Sequence, residues 1–123
     1  MFEKAKLKEV KGFALSLSLS TMLPGTPFDR LQRITESEEA PARGSVESLI
    51  GVFRNMITAC ELGASKAGKI KETGIQTGFT NVKASCETLL EALGNGAWEN
   101  IATLRGNLIQ KIGELQDTCQ PEA

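Results

Sequence analysis

The side chains best suited to chemistry in this chain are three thiols, Cys60, Cys86 and Cys119, in a sequence that contains no histidine. That absence removes the Ser-His-Asp and Cys-His relays and histidine-based zinc sites, and it takes away the commonest general base. A cysteine nucleophile here needs a lysine or a helix N-terminus to stabilise its thiolate. Cys86, three residues from Lys83, fits that description best. All three cysteines nevertheless fall on apolar stripes, their number is odd, and their spacing is not that of metal ligands. They read as buried free thiols of a reducing compartment, which places the protein in the cytoplasm. A hairpin at Gly94, Asn95 and Gly96 sets Cys86 level with about Leu104, so Cys86 does not pair with Cys119.

Carboxylate pairs occur at Glu38/Glu39, in a polar stretch, and at Glu87/Glu91, four apart on one helix face. Di-metal bundles need inward Glu and Glu-x-x-His motifs, which this chain cannot supply. The glycines at 63, 68, 74 and 78 follow no phosphate-binding pattern. No catalytic residue, cofactor or metal ion is therefore expected. Lys66, Lys69 and Lys71 form a possible basic contact patch. Aromatic residues able to stack on bases are not interleaved with them, and the net charge is −1, so nucleic acid is not an expected partner.

The elements that carry these residues are legible from periodicity. Val46, Ile50, Phe53, Ile57, Cys60, Ala64 and Ala67 recur at four-three intervals, one stripe of a helix with Leu49 and Met56 beside it. Ser45 is the expected N-cap. A second stripe, Ile75, Phe79, Val82, Cys86, Leu89 and Leu93, is one residue out of frame with the first. The slip falls among Gly68, Gly74 and Gly78, each costing a helix interior about 1 kcal/mol relative to alanine. A break between residues 68 and 78 is expected, with Thr77 or Thr80 capping the next helix. Gly94 stands where a left-handed helix stop wants glycine. The last helix then presents Trp98, Ile101, Leu108, Ile112, Leu115 and Cys119, with Leu104 and Ile109 alongside. The residues 94–96 turn makes a C-terminal antiparallel helical hairpin.

Ahead of this, a lysine-rich start leads into GFALSLSLSTML, residues 12–23. Its helical reading groups Leu7, Val10, Ala14, Leu17 and Thr21 on one stripe and Leu15, Leu19 and Met22 on another. Its alternation of leucine with serine also allows a strand, and its basic-then-apolar order allows a secretory leader. A dozen residues cannot span a bilayer, which takes about 20. Helix is preferred. Residues 24–44 read as a surface loop, within which Phe28, Leu31 and Ile34 could bury two helical turns; residues 121–123 are a tail. The whole, residues 1–123, reads as one all-α domain, a small bundle of three to four helices.

Function follows by elimination: a non-enzymatic interaction or assembly protein, associating with itself or with another protein through a helical groove. The expected interface comprises Val46, Ile50, Phe53, Ile57, Ala59, Gly63 and Ala67, with Gly106 and Gly113, whose small side chains suit close helix approach. Asp at Ile50 or Ile57 is then expected to abolish assembly. The alternatives are a secreted protein with residues 1–23 as targeting segment, and a ligand-binding or thiol-dependent bundle with a pocket near Cys86 and Trp98.

Overall fold

A computed structural model describes residues 2–23, 25–37 and 41–119. They form five α-helices: α1 (Phe2–Met22), α2 (Pro27–Glu36), α3 (Arg43–Lys69), α4 (Thr73–Asn95) and α5 (Trp98–Cys119). Helix α3 packs on α4, α4 on α5, and α1 lies against both α3 and α5, with α2 continuing along α5. The directions follow from the contacts. Glu9, early in α1, pairs with Lys66, late in α3, whereas Ile34 of α2 borders the same cleft as Ser45 and Leu49 at the start of α3. So α1 and α2 form one broken descending limb of an antiparallel four-limbed bundle.

The break between them has local causes. Gly25 takes φ +77°, and Pro27 occupies the first turn of α2, where a missing N–H costs nothing. The Asp29 carboxylate accepts from the Gly25 N–H at 3.0 Å, and Thr26 donates to the Leu23 carbonyl. Residues 24–44 are thus not simply a loop. Phe28 and Leu31 are fully buried and Ile34 partly so, and α2, with 10 residues, makes nearly three turns. The Arg105 guanidinium of α5 holds α2 in place, donating to the Phe28 carbonyl at 2.8 Å and to Gln32 at 3.2 Å.

Residues 12–22 are helical, and the stripe containing Val10, Ala14 and Leu17 is the buried one. Leucine–serine alternation fits either period; burial between α3 and α5 selects the helix. In α3 the buried line is Val46, Leu49, Phe53, Met56, Cys60, Gly63 and Ala67. Ile50, Ile57 and Ala64 flank it, partly buried. The centre of the stripe is displaced because α3 is covered by α4 on one side and by α1 on the other. The stripe of α4 is buried as spaced, and so are Ile101, Leu108, Ile112, Leu115 and Cys119 of α5.

The two hairpin turns share one design. At the end of α3 the Glu72 N–H reaches the Ala67 carbonyl and the Lys71 N–H reaches that of Gly68. At the end of α4 the Ala97 N–H reaches Ala92 and the Gly96 N–H reaches Leu93. Both are the six-to-one and five-to-two bonds of a Schellman turn. The left-handed residue is Gly96 (φ 69°) in one and Lys71 (φ 62°) in the other. Gly94, the expected stop, lies inside α4, and Gly74 and Gly78 do as well. The break anticipated across residues 68–78 is therefore real but confined to residues 70–72. Helix α3 begins at Arg43 with Ala42 as N-cap, ahead of Ser45. Helix α4 begins at Thr73, ahead of both Thr77 and Thr80.

Candidate functional site

The thiols are placed for packing. Cys60 and Cys86 are fully buried on α3 and α4, and Cys119 is nearly so; all three are free. Burial pushes the Cys60 thiol up to about 12, reinforced by Glu61 and opposed by Lys83. Cys86 is likewise pushed up to about 12, first by burial, then by Cys60 and Glu87. Cys119 is raised by burial, with Lys11 opposing. Lys83 is held by Glu61 at 3.5 Å, so it does not serve Cys86 as an activator. We expect an alkylating reagent at pH 8 to leave Cys60 and Cys86 unmodified until the chain unfolds. Because their folded values lie above the ordinary 9.0, the unfolded chain loses those protons first, and stability falls as pH rises from about 9 towards 12. Denaturation midpoints at pH 8 and pH 10, compared with a Cys60→Ala/Cys86→Ala chain, check this. An alkaline loss of equal size in both chains counts against it.

Glu87 and Glu91 lie on an exposed face, while Glu38 and Glu39 lie outside the described residues. Among the described residues no charged side chain is buried, and no cluster of three His, Cys, Asp or Glu could hold a metal ion. Trp98 borders a cleft with Val46, Ile50 and Leu93, separate from the buried Cys86.

The residues assigned from sequence to an interface have varied positions. Val46, Phe53, Gly63 and Ala67 are buried inside the chain's own core, and Ile50, Ile57 and Ala59 are half-buried. Asp at Ile50 or Ile57 would therefore strain the fold before it tested any assembly. Gly63 does mediate a close approach, but within the chain: a Cβ there would stand 2.7–2.9 Å from the Phe79 ring of α4. Gly106 and Gly113 face open space, with nothing within 4 Å of an added Cβ. Of the basic patch, Lys69 and Lys71 are exposed, and Lys66 is half-buried and paired to Glu9.

Two features emerge from the tertiary structure. One is an exposed row formed by Leu15 (47%) and Leu19 (42%) on the outer side of α1 and Leu23 (53%) just past its end, where the Leu23 N–H still reaches the Leu19 carbonyl. The sequence did separate Leu15 and Leu19 from the buried stripe, but periodicity alone cannot say which stripe faces inward. The other is an apolar cleft of about 340 Å³ between α1 and α3. No helix among the described residues is long and apolar enough to cross a membrane. No protein-family model, curated protein or solved structure matches this chain.

Proposed function

We propose that this is a non-enzymatic assembly protein that associates with a second copy of itself through the outer face of α1. The observation that carries this reading is the exposed row Leu15, Leu19 and Leu23. These residues are spaced one helical turn apart in a segment, residues 12–23, without a charged side chain. Apolar surface of that kind is costly to leave in water and favours a partner. An antiparallel two-fold arrangement sets leucine against leucine and carries Lys4, Lys6 and Lys8 to opposite ends, away from their counterparts. A parallel arrangement would bring those lysines together.

Helix α1, with 21 residues, is about 31 Å long. One face of it falls short of the ~800 Å² per partner typical of stable interfaces, so the association should depend on concentration. Light scattering behind size exclusion should show the mass rising towards twice the monomer as concentration increases. Leu15→Asp/Leu19→Asp should remain monomeric throughout, with an unchanged helical circular-dichroism spectrum because neither side chain is in the core. A wild-type monomer at every concentration would sink the proposal. The rival role for residues 1–23, a removable leader, has less support: α1 buries Val10 and Ala14 completely, and its removal would open the core.

A further inference from the structure

We propose that the cleft between α1 and α3 binds a single-chain amphiphile with an anionic head, such as a medium-chain fatty acid. The cleft, at about 340 Å³, lies at the small end of the ~300–1,000 Å³ range of ligand sites. Its walls are Phe13 and Leu17 of α1 and Met56 and Ala59 of α3, and Pro27 closes one end. Phe79, fully buried on α4, closes it from beneath. Ser16, Ser20 and Asn55 also line the cleft, and none of its lining residues is charged.

The charge lies beyond one end. Next to Phe13 is a smaller cavity of about 150 Å³, lined by Lys6, Glu9, Lys66 and Lys69. The two are adjoined by Lys66, whose ammonium stands 5.7 Å from the Phe13 ring centroid. Glu9 neutralises Lys66, while among the described residues Lys6 and Lys69 make no ion pair. The end cavity therefore carries uncompensated positive charge at the head of an uncharged apolar trough. An anionic head against Lys6 and Lys69 with its alkyl chain lying along Phe13 towards Pro27 satisfies both. A neutral alcohol matches only the trough, and a cationic amphiphile is repelled at the head. This face is distinct from the Leu15, Leu19 and Leu23 row, so the proposal stands apart from self-association.

The test is calorimetric titration of the full chain with decanoate below its micelle concentration, alongside decanol and decyltrimethylammonium. Decanoate is expected to bind one per chain and more tightly than either comparator. Lys6→Gln/Lys69→Gln should weaken decanoate by roughly tenfold and leave decanol unchanged. Ala59→Phe, which fills the trough from an already half-buried position, should remove binding of both. Amide chemical shifts recorded on decanoate addition should move at Phe13, Met56 and Ala59, a readout independent of any variant's fold. Absence of decanoate binding, equal binding of the cationic amphiphile, or shifts confined to other surfaces would overturn the proposal.

Discussion

Phe53→Ala is expected to lower the free energy of unfolding by about 3–5 kcal/mol, the usual cost of emptying a large aromatic site. Phe53 is fully buried near the middle of α3, and its ring meets that of Phe28 edge-on, with centroids 5.6 Å apart at 86°. The loss combines the transfer of the ring to water, the cavity left behind, and the aromatic pair itself, worth about 0.5–1.5 kcal/mol. Measured against a total stability of about 5–15 kcal/mol, this is a large fraction. The effect should be felt unevenly. Phe28 is a principal anchor of the short helix α2, so amide exchange in α2 should accelerate before that in α4. Urea unfolding and hydrogen exchange on the variant check both parts. A loss below about 1 kcal/mol with α2 protection unchanged would mean that this pair does not hold α2 to the bundle.

Glycine substitutions should divide by sign. Gly63→Val is expected to cost about 3 kcal/mol, the upper range for overpacking. Its Cβ alone would meet the ring of Phe79 below 3.0 Å at three atoms, and Phe79 is itself fully buried, so the ring has no free space to enter except the α1–α3 cleft. Gly63→Ala should cost less, because the gain of about 1 kcal/mol in helix propensity offsets part of the clash. Gly106→Ala and Gly113→Ala should each stabilise by about that same amount, because both lie within α5 with nothing near an added Cβ. Thermal unfolding of the single variants and the double variant decides this, with the two gains adding. If Gly106→Ala or Gly113→Ala proved destabilising, that face of α5 would have an unseen partner.

What the sequence by itself determined was the helical class and the core residues of α4 and α5. It read α2 (Pro27–Glu36) as part of a surface loop, and it centred the buried line of α3 on Ile50 and Ile57 where Leu49 and Met56 lie. Four-three spacing in α4 and α5 depends only on helix geometry, so Ile75, Phe79, Val82, Leu89, Ile101, Leu108 and Leu115 could be assigned to the core without knowing the neighbouring elements. The missing histidine likewise limits the available chemistry whatever the fold. Turns were legible only where residue type signalled them. Gly96 marks the α4–α5 turn, although two residues beyond the expected stop, whereas the same Schellman geometry at Lys71 uses a residue that announces nothing. Tertiary structure decided which stripe of α1 turns inward. Leu15 and Leu19 are as apolar as Leu17, and only the position of α3 and α5 leaves them exposed. It also decided that the small-residue line at Gly63 serves packing inside the chain, because the facing ring, Phe79, comes from α4. The α1–α3 cleft and its lysine end were out of reach for the same reason. They bring Lys6 and Phe13 next to Lys66 and Met56 across a long separation in sequence, and periodicity along one helix carries no information about what another helix sets beside it.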